Sequence, residues 1–257
     1  MLRLLVLLVV TAGAVSAQTD ADLLARLLAA TQPAAPGVIP FGQLTSDLPP
    51  AALQAVTDST SARFLADWQP DHVREALAAL ERPDIARVAA RTALRPGVDE
   101  VASLAFGLVG AKTPAADSSL AALYLRATGR SEATLALVER VFRAAAESIP
   151  AARADLDRRG QTIDAAVADE LAPLAAMLPA LDLATARLQL AGLAPADVKA
   201  AAAFEQTPAG RYVRATVAEG TARALLPTIL DLIRTTVPGA DVEGTPDSLP
   251  RRYIKVD

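Results

Sequence analysis

SEATLALVERVFRAAAESI, residues 131–149, decides the fold class. Leu135, Val138, Phe142, Ala145 and Ile149 recur at steps of three and four and form one helical stripe, while Glu132, Glu139, Arg140, Arg143 and Glu147 occupy other faces. Ser131 is a fitting N-cap, and Glu139 with Arg143 makes an i,i+4 ion pair in the favourable orientation. The same period extends outward. Ile163, Val167, Leu171, Leu174 and Leu178 mark the next amphipathic run. The patterning then predicts helices over 183–191, 195–206 and 208–236, the last bent near Pro227. Upstream it predicts helices over 20–30, 50–67, 70–81, 83–94, 98–109 and 116–128, the last stopped by Gly129.

Alanine and leucine dominate, aromatic residues are 4% of the chain and β-branched runs are scarce, so helix is favoured over sheet throughout. Prolines fall where one periodic segment ends and the next begins, because the first helical turn tolerates a residue without an N–H. Residues 31–50, with Pro33, Pro36, Gly37, Pro40 and Gly42, form a surface loop or linker. The tail from Pro238 is irregular and ends in Tyr253-Ile254-Lys255-Val256, suited to a short strand or a docked arm.

The N-terminus carries Met1-Leu2-Arg3, a short apolar run to Val10, and small residues at Val15 and Ala17. That is the layout of a secretory signal peptide over residues 1–17, cut after Ala17, and it places the mature protein in the periplasm or outside the cell. The apolar run is too short to span a bilayer, and the later stretch 171–183, interrupted by Pro173, Pro179 and Asp182, reads as a buried helix pair. No transmembrane anchor is therefore expected after processing. The chain has no cysteine, so its stability rests on core burial rather than disulfides. With 25 Lys and Arg against 29 Asp and Glu, a formal net charge of −4, it lacks the basic face of a nucleic-acid binder.

At an offset of 125 residues the chain aligns with itself: Pro70, Val73, Ala76, Ala78, Pro83 and Val88 fall on Pro195, Val198, Ala201, Ala203, Pro208 and Val213, with Arg74 opposite Lys199. In each copy one proline opens a helix and a second, thirteen residues on, opens the next. The expected architecture is therefore all-α, a multi-helix array of two related helix-corner-helix halves, 18–129 and 130–237, followed by the tail 238–257.

The second copy, Leu193-Ala194-Pro195-Ala196-Asp197-Val198-Lys199 leading to Phe204-Glu205-Gln206-Thr207-Pro208-Ala209-Gly210, resembles the bacterial exported family called domain of unknown function 2059. The resemblance covers roughly residues 131–219, and only the corner is distinctive. Glu205 stands where the family favours Tyr, and Thr207 where it favours Ser. The resemblance implies export and an α-helical fold, and no activity. Physically the motif reads as a structural corner: Thr207 caps the helix that Pro208 opens, Gly210 permits close approach, and Phe204 fills the inside.

No catalytic set stands out, and neither cofactor nor metal is expected. His72, the single histidine, sits in a first helical turn as a solvated residue and has no second His or Cys with which to build a metal site. Asp155-Leu156-Asp157-Arg158-Arg159-Gly160 opens like a calcium loop, but Arg159 and Ala166 stand where ligands are needed, so a helix end closed by Gly160 is expected. Asp169 and Glu170 are adjacent on a helix and cannot face each other as an acid–base dyad. The expectation is an exported, non-enzymatic protein that binds another envelope protein or a cell-wall component. The alternative is a carrier of an apolar small molecule or lipid between helices, with Ala200, Ala201, Ala202 and Ala203 and the 171–183 region leaving the space. A hydrolase working through carboxylates has no specific support.

Overall fold

The computed structural model describes residues 19–31, 50–93, 96–107 and 114–236. The leader, most of the 31–50 linker and the tail lie outside the described residues. Among these residues there are eleven helices and no strand. They are α1 Asp20–Thr31, α2 Pro50–Ala66, α3 Pro70–Leu80, α4 Pro83–Thr92, α5 Val98–Ala105, α6 Ser118–Thr128, α7 Arg130–Ser148, α8 Pro150–Arg159, α9 Ile163–Gln189, α10 Pro195–Glu205 and α11 Pro208–Thr236.

Local chemistry sets the boundaries. Proline occupies the first turn of α3, α4, α8 and α10. The Asp117 side chain accepts from the N–H groups of Ser119 and Leu120 to start α6, and Thr162 accepts from Ala165 N–H to start α9. Gly129 and Gly160, at φ 57° and 62°, close α6 and α8 in the left-handed region that glycine adopts without strain.

Three boundaries differ from the sequence reading. Gly129 turns α6 directly into α7, so Ser131 lies inside α7 rather than capping it, and its hydroxyl donates to Asp182 at 2.5 Å. Residues 163–189 form one helix, not a pair, because Pro173 and Pro179 both lie on its exposed side, where carbonyls released from the helical ladder meet solvent. Helix α5 stops at Ala105, short of 109, ahead of Gly107 at φ 64°. Helix α9 has the length and composition of a membrane span. Here it packs against α5, α6 and α7 and buries Asp182, Thr185 and Gln189 among them.

The two apolar stripes legible in sequence meet each other: Leu135, Val138 and Phe142 of α7 pack on Leu171, Leu174 and Leu178 of α9. The largest core draws on both ends of the chain, joining Leu27 of α1, Phe64 of α2, Val73 of α3, Val88 of α4, Val198 of α10 and Val213 of α11.

The two helix-corner-helix segments share several local features. Helices α3 and α10 are each 11 residues long. Val73, Ala76 and Val88 are buried, as are their counterparts Val198, Ala201 and Val213, while Ala78 and Ala203 are both exposed. The backbone bonds match at the same offset: Val73 N–H to Gln69 and Val198 N–H to Ala194, Arg82 N–H to Ala79 and Thr207 N–H to Phe204, Ala86 N–H to Arg82 and Arg211 N–H to Thr207. The two units also pack reciprocally. Helix α3 lies on α11 and α4 lies on α10. Arg87 of α4 pairs with Asp197 of α10 at 2.9 Å, and the positions equivalent to these two, Tyr212 and His72, pair in turn with ring centres 5.6 Å apart. Beyond Thr92 the units part, since α4 has 10 residues and α11 has 29.

Helix α11 also runs against α2, and Gly220 makes that contact possible. A Cβ there would lie 2.5 Å from both Cα and Oγ1 of Thr60. Gly220→Ala is therefore expected to cost about 1–3 kcal/mol by overpacking, against the usual gain from alanine in a helix. A urea titration showing the variant equal to or more stable than the parent sinks this account of the contact.

Candidate functional site

The corner residues are held by short-range geometry. Thr207 Oγ1 accepts from Gly210 N–H at 3.0 Å, and Pro208 is the first residue of α11. Phe204 is buried in the main core, and Gly210 is buried beneath it, where a Cβ would lie 2.2 Å from the Phe204 carbonyl oxygen. Phe204 and Gly210 do more than turn the chain: together with Glu205 they line a half-open cleft of about 760 Å³.

Positions 125 residues apart line that cleft together: Leu80 with Glu205, Ala89 with Arg214, Ala90 with Ala215, Thr92 with Val217, Ala93 with Ala218. A further wall comes from α7, through Ala133, Ala136, Leu137 and Val141. The two sets of positions differ in polarity. Where the first unit has Leu80 and Ala89, the second has an ion pair, with Arg214 Nη1 3.2 Å from Glu205 Oε2.

Charge gathers at this end. Arg214 also donates to the carbonyls of Ala127 and Glu205. Arg130 donates to Gln189 Oε1 at 3.0 Å and lies 3.7 Å from Asp182, while Gln189 Nε2 donates to the Thr92 carbonyl at 2.7 Å. The Tyr124 hydroxyl is pushed up to about 12 by burial and by the charge of Glu205, against a hydrogen bond with Thr92 and the positive charges of Arg130 and Arg214. Burial also raises Asp182, opposed by the Ser131 hydroxyl and by Arg130. Farther along, Arg140 bridges α7 to Glu219 of α11 at 2.8 Å and, with Arg223, holds the Glu219 carboxyl below its ordinary range.

Glu205 keeps 22% of its side-chain surface, and burial raises its carboxyl above the ordinary range despite Arg214. A raised folded-state value means the folded protein takes up the proton before the unfolded chain does. The group then favours folding at low pH, and that contribution is lost as pH rises through the folded value. The stability of the wild type relative to Glu205→Gln is therefore expected to fall between about pH 4 and pH 7. Thermal melts at both ends check this, and a rise in the difference makes Arg214 rather than burial the dominant influence.

The other sequence candidates lie elsewhere. His72 is half-buried against Tyr212 rather than solvated, and its buried Nδ1 has no hydrogen-bond partner among the described residues. Asp155 is held by Arg158 at 3.1 Å and by Arg159 at the end of α8, which Gly160 closes. Asp169 accepts from Gln161 at 2.7 Å, and Glu170 is exposed on the same helix. Among the described residues no group of three or more His, Cys, Asp or Glu is placed to hold a metal ion. This cleft is not formed by the residues of the small-residue reading. Ala201 and Ala202 are packed into the core, and no residue of 200–203 or 171–183 is among the described lining of the cleft. The signal that marks the cleft was present in the repeat alignment as a charged pair, Glu205 and Arg214, opposite the apolar pair Leu80 and Ala89. No protein-family model, curated protein or solved structure matches the chain.

Proposed function

We propose that this protein is an exported, non-enzymatic carrier that holds an apolar or amphipathic small molecule between its helices. The observation that carries the reading is the cleft walled by α4, α7 and α11. At about 760 Å³ it falls within the roughly 300–1,000 Å³ of small-molecule sites, and alanine, leucine and valine walls with a few convergent polar groups are the lining such sites have. The leader-like N-terminus supports export. Docking of an envelope protein on a helix face has Leu65, Phe106 and Met177 in its favour, three exposed large apolar side chains on three different segments. The cleft offers both shape and chemistry, and is the stronger ground.

Ala218 provides the test because it lines the cleft and is exposed. A tryptophan there obstructs the space, while a surface substitution costs the fold no more than about 0.5 kcal/mol. Titration with a neutral environment-sensitive dye, N-phenyl-1-naphthylamine, is expected to saturate at one site in the wild type and to weaken at least about tenfold in Ala218→Trp, a loss of about 1.4 kcal/mol. Absence of saturable binding, or equal binding by both proteins, overturns the reading.

A further inference from the structure

The polar end of the cleft says more about the ligand than its volume does. Arg214 brings five N–H donors in a planar fork. Its Nη1 carries the bonds to Ala127, to the Glu205 carbonyl and to Glu205 Oε2. Its Nε and Nη2 have no partner among the described residues, and 31% of the side chain remains exposed. The edge of a guanidinium that presents Nε and Nη2 together is the edge that grips a carboxylate with two parallel hydrogen bonds. Tyr124, Arg130, Glu205 and Arg214 all line the cleft.

Each lining arginine already faces a carboxylate: Arg130 lies 3.7 Å from Asp182, Arg140 2.8 Å from Glu219 and Arg214 3.2 Å from Glu205. The open Nε and Nη2 edge of Arg214, not an excess of charge, is therefore what selects the head group. Away from this end the lining becomes apolar, through Ala133, Ala136 and Leu137 of α7 and Ala218 and Ala222 of α11. From Arg130 to Val141 the α7 wall runs about 16 Å at the helical rise, the length of an extended chain of about a dozen methylenes. Alanine side chains line much of that length, interrupted by threonine hydroxyls and, toward its far end, by the Arg140–Glu219 pair.

We infer, resting on the reading of the cleft as a ligand site, that it takes a single-chain amphiphile with a carboxylate head, the head on the Nε and Nη2 edge of Arg214 beside Tyr124 and Arg130, and the chain along the alanine-lined walls of α7 and α11. Glu205 plays two parts in this arrangement. It holds the guanidinium in place through Nη1, and its negative charge opposes that of the head.

Displacement of bound N-phenyl-1-naphthylamine from the purified protein tests the inference with two probes of equal chain length, dodecanoate and dodecyltrimethylammonium, each below its micelle-forming concentration. Dodecanoate is expected to displace the dye at least tenfold more effectively than the cation. Arg214→Gln is expected to weaken dodecanoate at least tenfold relative to dodecyltrimethylammonium, each measured against the dye affinity of the same variant, and Glu205→Gln to strengthen it severalfold. Equal displacement by the two probes overturns the carboxylate head while leaving the cleft as an apolar site, because the dye still binds. Equal dodecanoate affinity in wild type and Arg214→Gln does the same. Failure of the dye to bind the wild type removes the cleft as a ligand site and this inference with it. If circular dichroism shows Arg214→Gln unfolded, the comparison of probes on the wild type and the direction of change in Glu205→Gln decide the matter.

Discussion

Gly210→Ala is expected to destabilise the protein by about 3 kcal/mol or more, enough to remove a large part of the stability of an ordinary domain. Helix propensity alone gives the opposite sign, since alanine inside a helix gains about 1 kcal/mol over glycine. What decides the outcome is the identity of the atoms in the way. A Cβ at this position would meet the Phe204 carbonyl oxygen at 2.2 Å and the Glu205 Cα at 2.9 Å, all of it backbone of the preceding helix, with no flexible side chain to give way. Helices α10 and α11 have to separate, and the buried Phe204 ring and the Thr207 cap go with them. Guanidinium denaturation measures the cost. A loss under about 1 kcal/mol means the corner opens freely and the close approach contributes little.

Phe64→Ala is the second large effect, with an expected loss of about 3–5 kcal/mol. Phe64 is fully buried, and its ring meets that of Tyr212 edge to face, 5.7 Å between centres and 67° between planes. Truncation removes the largest wholly buried side chain of α2 and leaves a void bordered by α11. Tyr212 is tethered there by its hydroxyl, which donates to the Asp67 carbonyl at 2.7 Å, so it cannot easily move in to fill the space. Reversible denaturation followed by near-ultraviolet circular dichroism separates the two consequences: the midpoint reports the lost burial, and the aromatic signal reports whether Tyr212 has reoriented. A loss below about 1.5 kcal/mol means that the site collapses around the smaller residue.

Helix identity was legible because it is written in short-range periodicity. The stripe through Leu135, Val138 and Phe142 and the one through Leu171, Leu174 and Leu178 each signalled a buried face, and the structure packs them together. The paired prolines and valines likewise marked two corners whose backbone bonds coincide. The misreadings share a physical cause: each turned on which side of a helix faces outward. Pro173 and Pro179 look like stops until their exposed placement is known. Ser131 looks like a cap until Asp182, 51 positions away, takes its hydroxyl. His72 looks solvated until Tyr212 arrives from α11. The cleft was hidden for the same reason. Its alanines are ordinary helix formers in sequence, and only the reciprocal stacking of the two units makes them the walls of a common space.

That stacking also bears on when the chain can fold. Helix α2 finds its principal partner in α11, α3 packs on α1 and α11, and α4 packs on α10, so the N-terminal helices complete their burial only against segments that begin at Pro195 and Pro208. Contacts of such long sequence separation form only after large loops have closed, which makes them late and slow. A chain leaving the ribosome would carry Phe64, Val73 and Val88 without their α10 and α11 partners until its final third had been made. Cooperative collapse would then come at the end of synthesis, with the earlier helices incompletely buried until that point.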